Sequence, residues 1–503
     1  MSDPVRVRFA PSPTGYLHIG GARTSLFNWL FAKKQRGTFV LRLEDTDAER
    51  NTEAARQTIF RGLDWLGLTP DEGPEQGGPY GPYAQSERQS IYIEWGKKLS
   101  ECDGAYPCFC TRERLSELRA QQEKNRETLR YDRKCRSLTR DEAAKRMAAG
   151  EECTWRLKVP EEGKAVIADL VRGTVTVDYK DIEDIILVRG NGVPIYNFAV
   201  VIDDHLMRIT HVIRGEDHLT NTFKQLLIYR ALGWKEPIFA HLPLILAPAG
   251  EGKLSKRKHP EAACELYQQK GYPVEGLINW LALVGWSFDD KTEIMSRAEL
   301  IERFSLDRVV PSGARLPLEK LDWICGDYIR RTPVETIEKE ITPFLQAKGW
   351  ISKAPSEGEK RRIALIAANE RERLRNYGQV VELAAWIFED GQYEEKAALN
   401  LKKEGAIEML ADYAPTLLAS DFAEPTMLEA EARAWCEARG YGFGKLVHPV
   451  RAALTFRTQG PGLFACAVIL GKDECKRRIE KALAFARGPA GGGCAAPPDA
   501  KHG

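Results

Sequence analysis

The chain predicts an α/β fold joined to an all-α region: a parallel sheet interrupted by an α+β insertion, then helices almost to the end. Three observations carry this. A strand, a breaker-rich loop, an amphipathic helix and a second strand follow one another within residues 5–43. Strand patterns resume near residue 193, after a stretch of different character. Beyond about Pro260 nearly every segment has helical spacing.

In order, Val5, Val7 and Phe9 alternate with Arg6 and Arg8, which predicts a strand. PSPTG follows as a loop. From Gly21 to about Lys34, Leu26, Phe27, Leu30 and Phe31 recur at helical spacing, and Gly37 ends the helix. Thr38–Leu43 reads as the second strand. A strand–helix–strand unit implies parallel pairing with a right-handed crossover. The Pro/Gly-rich stretch Asp71–Tyr83 reads as a surface excursion. Residues 100–192 carry a cysteine cluster, the helical run RERLSELRAQQEK and the strand-like GTVTVDY and DIILVRG, and are expected to form the insertion. VPIYNFAVVIDDH, ITHVIRGEDH and HLPLILAP are expected to be strands of the second half of the sheet, over 193–259. VEGLINWLALVGW, EKLDWICGDYIRR, RRIALIAANERERL and ECKRRIEKALAFA predict helices, and 488–503 has the composition of a disordered tail.

At 503 residues the chain is too long for one small module and supplies several cores. Its 73 basic and 72 acidic residues give a net charge of +1, which excludes a polyelectrolyte-like nucleic-acid binder but not a local basic stripe. No window approaches 18 uninterrupted apolar residues, so no membrane span is expected. MSDPVRVRFAPSP lacks the apolar core of a signal peptide. The eleven cysteines are therefore expected reduced, in the cytoplasm, and mostly buried.

No GxxxxGK[ST] loop is present. Two other segments suit phosphates. In PSPTGYLHIGG, His18, Gly20 and Gly21 fall between a strand end and a helix start, where backbone N–H groups favour anions. In GEGKLSKRK, Lys253, Lys256, Arg257 and Lys258 follow two glycines after a strand, a loop able to bring positive charge onto a polyphosphate. Alone, the first reads equally well as ordinary surface, and the second reads better as a solvated basic face.

Together, HIGG after the first strand and KLSKR after the last resemble the HIGH and KMSKS signatures of class I aminoacyl-tRNA synthetases. The finer resemblance is to bacterial glutamyl-tRNA synthetases. It rests on RFAPSPTGYLHIGGARTSLFNWLFA, RLEDTDAER, YDRKCR, IYNFAVVIDDHLMRITHVIRGEDHLTNT, GKLSKR and GKLVHPVRAALTFRTQGPGLF, in that order, and spans roughly 3–485. It implies a Rossmann-type catalytic domain in two parts (1–99 and 193–259) around an acceptor-binding insertion (100–192). A stem-contact segment (260–325) and a helical anticodon-binding region (326–487) follow.

The implied activity is ATP-dependent activation of L-glutamate and its transfer to the 2′-hydroxyl of the terminal adenosine of tRNA-Glu, with Mg²⁺ accompanying ATP. The resemblance places His18, Gly20, Gly21, Asp217 and Lys256 at ATP, with Lys253 and Lys256 acting as charge develops. It assigns Arg8 and Arg214 to glutamate, as suits a carboxylate ligand, with Ser12, Glu44 and Tyr196 completing the pocket. Cys108, Cys110 and Cys135 resemble a zinc motif of this family. A structural zinc wants four ligands; Tyr131, a water, Cys102 or Cys153 are open as the fourth, and Ser137 stands where some relatives carry histidine. Lys445, Arg451 and Arg457, and Lys472, Lys476, Arg477, Arg478 and Lys481, are the expected RNA-facing charges. A monomer is expected. Whether tRNA-Gln is also charged stays open. The rival from another class is a small-metabolite nucleotidyltransferase, which has no use for the long helical half.

Overall fold

The computed structural model describes residues 3–46, 52–249, 252–255, 258–289 and 291–487. It divides into two units, residues 1–269 with 274–324, and residues 270–273 with 325–503.

In the first unit, β1 (Arg6–Phe9), α1 (Ile19–Lys34) and β2 (Thr38–Leu41) form the expected strand–helix–strand. The strands pair in parallel, Arg8 opposite Val40. Helix α1 begins two residues earlier than its apolar spacing suggests, because the His18 side chain caps it by accepting from Gly20 N–H. At its other end Arg36 takes the left-handed turn (φ 52°) and Gly37 N–H closes on Ala32 O. Gly37 is required for a different reason: a Cβ there would lie 2.3 Å from Val5 O.

After α2 (Glu53–Trp65), the 71–83 stretch is more than a surface excursion. Leu41 N–H donates to Glu72 O, and the buried Glu72 carboxylate takes both Nη atoms of Arg6 at 2.8 Å and the Tyr83 hydroxyl at 2.6 Å. The stretch so covers the outer edge of β2, which would otherwise be open to pairing.

Next come α3 (Gln89–Glu101), β3 (Ala105–Cys108), α4 (Arg112–Asn125), α5 (Arg140–Ala148), β4 (Thr154–Leu157), β5 (Lys164–Asp169), β6 (Gly173–Asp178) and β7 (Ile186–Val188). Strands β3, β4 and β7 make a small antiparallel sheet. The β5–β6 hairpin does not stay with them. After α6 (Tyr196–Leu206), β8 (His211–Gly215), α7 (Leu219–Ala231) and β9 (Ile238–Leu242), the four-stranded order is β6-β5-β9-β8, with Asp169 of β5 opposite Phe239 of β9. Strands β8 and β9 are parallel, and β1 is tied beside β8 by hydrogen bonds between Thr210 and the Arg6 backbone.

One expected strand is a helix. YNFAVVIDDHL is α6, not a strand. Every residue from Asn197 to Asp204 is buried, so the helix has no polar face and shows no helical period. A short all-apolar run with β-branched residues is compatible with either element.

Strand β10 (Ile245–Leu246) pairs in parallel with β11 (Ala314–Arg315), a strand inside the region expected to be all-helical. Between them lie α8 (Cys264–Gln269), α9 (Val274–Ala282) and α10 (Arg297–Arg303). From α11 (Leu318–Arg331) onward the second unit is helical: α12 (Val334–Ala347), α13 (Glu357–Glu370), α14 (Val380–Phe388), α15 (Glu395–Leu401), α16 (Ala406–Ala419), α17 (Pro425–Ala438), α18 (Phe443–Thr455), α19 (Leu463–Leu470) and α20 (Lys472–Arg487). Their apolar stripes meet in one core that includes Ile341, Ile366, Leu410, Trp435, Leu454 and Ile479. The expected tail, 488–503, lies outside the described residues.

Under the sheet, Arg42 is fully buried against Asp204 (2.6 Å), Asp203 (3.7 Å) and Glu44 (3.4 Å). Removing one partner from such a group leaves buried charge uncompensated. Arg42→Met is therefore expected to cost about 3–5 kcal/mol, read as a lower urea midpoint for the first unit. A change below about 1 kcal/mol, typical of surface sites, would show the network to be energetically idle.

Candidate active site

A cleft of about 500 Å³ opens where β1, α1, β8 and α6 present their ends. This is the carboxyl edge of parallel strands, where such sheets bind ligands. It brings together Arg8, Ser12, His18, Gly21, Glu44, Tyr196 and Arg214 from positions spread over 207 residues of sequence.

Arg8 is buried at the end of β1, its Nε 3.0 Å from Asp204 Oδ1. Asp204 lies on α6 and also binds Arg42. Burial alone would raise the Asp204 pKa, but Arg42 and Arg8 hold it below the ordinary range. Its neighbour Asp203 accepts from Arg88 Nε (2.7 Å), Gln85 Nε2 (2.8 Å) and the Tyr92 hydroxyl (2.9 Å). Glu44 stands just past β2, its backbone N–H on Pro11 O. Burial pushes its carboxyl above the usual range, and Arg42 and Arg8 pull it only partly back. A cationic group entering beside it would favour the carboxylate form.

Arg214, near the end of β8, is 6% exposed. Its Nη2 donates to Thr222 Oγ1 and Gln225 Oε1, each at 2.7 Å. Its Nη1 is buried and has no hydrogen-bond partner among the described residues. A buried guanidinium with an unused edge in a cleft fits a carboxylate. Tyr196 opens α6, and its hydroxyl lies 2.9 Å from His218 Nδ1. Burial raises the Tyr196 pKa to about 12.

His18 Nδ1 accepts from Gly20 N–H at 2.9 Å, which puts the ring proton of the neutral form on Nε2. A Cβ at Gly20 would sit 3.1 Å from that Nδ1, so the tight cap favours glycine. Gly20, Asp217 and Lys253 do not line the cleft. Asp217 adjoins the lining residue His218, and its Oδ2 is 2.9 Å from Lys253 Nζ. The structure thus pairs two residues singled out separately in the sequence. Lys256 and Arg257 lie outside the described residues.

Residues that the sequence reading passed over are as central. His218 and Asn221 line the cleft, and Arg42, Asp203 and Asp204 support it. The signal for the acids was present: two aspartates inside an otherwise apolar run.

The cysteine cluster is separate. The ligand atoms of Cys108, Cys110 and Cys135 all lie within 4.8 Å of one another, with Cys110 and Cys135 sulfurs 3.6 Å apart. The Tyr131 hydroxyl is 3.3 Å from Cys108 Sγ and 3.5 Å from Cys110 Sγ. Tetrahedral zinc with bonds of about 2.3 Å sets sulfurs about 3.8 Å apart, so three thiolates and a tyrosine oxygen fit such an ion. Cys102 and Cys153 are not in the group, and the Ser137 hydroxyl turns to Lys134 O. All ten cysteines of the described residues are unbridged.

The basic stripes need correction. Arg478 is buried and donates to the carbonyls of Trp386, Leu454 and Ile387, so it braces the helices and faces no partner. Arg477 and Lys481 are paired with Asp390, and Arg451 Nη1 is on Pro461 O. Lys445, Lys472 and Lys476 are exposed; Arg457 is half-buried.

The comparisons with known proteins match the fold. Residues 4–323 match the family model of class I tRNA synthetases (E and Q), catalytic domain, and residues 336–483 match an anticodon binding domain. The fold is that of a class I aminoacyl-tRNA synthetase. The chain is 44% identical to the glutamate–tRNA ligase of Moorella thermoacetica, over 96% of this chain and 99% of that one. It is 46% identical to that of Carboxydothermus hydrogenoformans, over 94% and 99%. Among solved structures, a glutamate tRNA ligase from Elizabethkingia meningosepticum in complex with its amino acid superposes with a TM-score of 0.88, at 35% identity over 96% and 99% of the two chains. The chain belongs to the glutamate–tRNA ligase family. Among the described residues no helix is long and apolar enough to cross a membrane.

Burial, with Arg214 and Arg8, lowers the His218 pKa from 6.5 to about 4. His218 is therefore expected to stay neutral down to about pH 5, with stability falling as pH drops from about 6.5 towards 4, because only the unfolded chain takes up the proton there. NMR of the imidazole checks this; a midpoint near 6.5 would contradict the burial.

Proposed function

We infer that this chain is a ligase that activates L-glutamate with ATP and transfers it to the 2′-hydroxyl of the terminal adenosine of tRNA-Glu. The observation that carries the reading is the buried Arg214, whose Nη1 lacks a partner in a cleft that also holds Arg8, Glu44 and Tyr196.

In this reading the side-chain carboxylate of glutamate takes the open edge of Arg214, with Arg8 adding a second positive charge. Glu44 and Ser12 receive the α-ammonium, and Tyr196 closes the pocket. The α-carboxylate attacks the α-phosphorus of ATP, forming glutamyl-adenylate and pyrophosphate, and the ribose hydroxyl then displaces AMP. The chain's contribution is placement and charge stabilisation. His18, Gly20 and Gly21, at the start of α1, receive phosphate oxygens; Lys253 and Lys256 add positive charge as it develops on the leaving pyrophosphate. Asp217 holds the Lys253 ammonium near the nucleotide. Mg²⁺ accompanies ATP and shields its phosphates. Residues 260–325 run along the tRNA stem and 326–487 meet the anticodon, with Lys445, Lys472 and Lys476 among the phosphate contacts.

The three cysteines and Tyr131 would hold one structural zinc, which would brace the insertion by joining β3 to the 131–135 loop. Purified without chelator, the protein is expected to carry about one zinc per chain, and Cys135→Ser to lose it; a ratio near zero in the parent protein would exclude the ion.

Arg214→Ala is expected to abolish glutamate-dependent ATP–pyrophosphate exchange, assayed with tRNA present, while circular dichroism stays unchanged. Exchange kinetics equal to the parent's would remove Arg214 from the pocket.

A further inference from the structure

Among the described residues Arg214 meets no carboxylate within hydrogen-bond distance. Its neighbours are all neutral acceptors: Thr222, Gln225 and His241, the last with Nε2 3.3 Å from Arg214 Nε. Nε–H can donate there only if His241 carries its proton on Nδ1. That nitrogen lies 2.6 Å from Asp169 Oδ2, and both side chains are fully buried. Asp169 is itself immobilised, accepting from the backbone N–H groups of His241, Val171 and Arg172. It ends β5, on the hairpin that belongs by sequence to the insertion.

We propose that Asp169 and His241 are positioning residues for the Arg214 guanidinium, so that the insertion hairpin sets the geometry of the amino-acid pocket. Asp169 selects the imidazole tautomer. The tautomer presents the Nε2 lone pair to Arg214 Nε–H at 3.3 Å and to the Thr222 hydroxyl at 2.9 Å, and that hydroxyl in turn accepts from Arg214 Nη2. With Nε and Nη2 engaged, the plane of the guanidinium is determined, and Nη1 is the group left without a hydrogen-bond partner among the described residues. An imidazole with its proton on Nε2 would instead oppose a donor to a donor, and the guanidinium would turn. Because every acceptor is neutral, the positive charge stays available to a ligand carboxylate and is not consumed internally. The proposal rests on the reading of Arg214 as the glutamate-binding arginine.

Two substitutions at 241 separate the two ring nitrogens. In His241→Asn the amide replaces Nδ1 and keeps the bond to Asp169, but leaves Arg214 Nε–H without an acceptor. In His241→Gln the amide oxygen reaches the place of Nε2 and keeps that acceptor. Steady-state KM values for glutamate and for ATP, measured on the full-length enzyme with tRNA present, read the difference. His241→Asn is expected to raise the glutamate KM by about tenfold or more, as for a lost hydrogen bond to a charged group, with the ATP KM unmoved. His241→Gln is expected to restore it to within about threefold of the parent. Asp169→Asn, outside the pocket, is expected to show the same glutamate-only effect and serves if a variant at 241 does not fold. A parent-like glutamate KM in His241→Asn, or equal losses for both substrates in Asn and Gln variants alike, would overturn the positioning role. Arg214→Ala in the same assay keeps the two readings apart. If its rate and glutamate KM equal the parent's, the pocket assignment fails; if its activity is lost or its glutamate KM rises while His241→Asn stays parent-like, only this proposal fails.

Discussion

The site depends on two adjacent aspartates at the end of a buried helix. Successive helical residues point about 100° apart, so Asp203 and Asp204 serve different partners. Asp204 takes Arg8 and Arg42; Asp203 takes Arg88, Gln85 and Tyr92. Helix α6 is thereby locked to β1, to the end of β2 and to the start of α3. The charges balance locally: Arg8, Arg42 and Arg88 are three positive groups, and Asp203, Asp204 and Glu44 three negative ones. Arg214 stands outside those ion pairs and is hydrogen-bonded to neutral groups among the described residues. Buried ionic groups of this kind are costly to desolvate and contribute orientation more than stability.

The insertion is more closely integrated than its place in the sequence suggests. Its antiparallel sheet of β3, β4 and β7 carries the thiol cluster. Its β5–β6 hairpin extends the parallel sheet at β9 and puts a carboxylate behind the pocket. Arg172, in the hairpin turn, also pairs with Glu216, whose other oxygen accepts from Leu244 N–H. The hairpin is thereby joined to the Glu216–His218 turn that follows the strand carrying Arg214. The helical unit is built differently. It buries one continuous apolar core, and the basic residues of α20 are largely spent on it: Arg478 replaces missing helix-end donors for three carbonyls, and Arg477 and Lys481 neutralise Asp390.

Local order made much of this readable from residues alone. The first strand–helix–strand, the helices of the second half, the placement of Arg8 and Arg214 near strand ends, and the spacing of Cys108, Cys110 and Cys135 all follow from short-range patterns. Period 2, period 3.6 and ligand spacing are local properties, and the motif resemblance assembled them into a family. What escaped were features set by burial from several sides. Helix α6 has no exposed face, so no period betrayed it. Strand β11 is two residues long and exists only because β10 lies beside it. Arg478 reads as one more surface cation until the carbonyls of Trp386 and Leu454 surround it.

The sequence by itself therefore determined the element types wherever one face meets water, the residues able to bind a carboxylate or a phosphate, and the family. Only the tertiary structure decided which of those residues face one another. The partners of Arg214, and the pairing of Asp217 with Lys253, join positions 8 to 36 residues apart through sheet register and helix packing. The physical reason is that hydrogen bonds and ion pairs act over about 3 Å, whereas the order of residues along a chain constrains distance only between near neighbours.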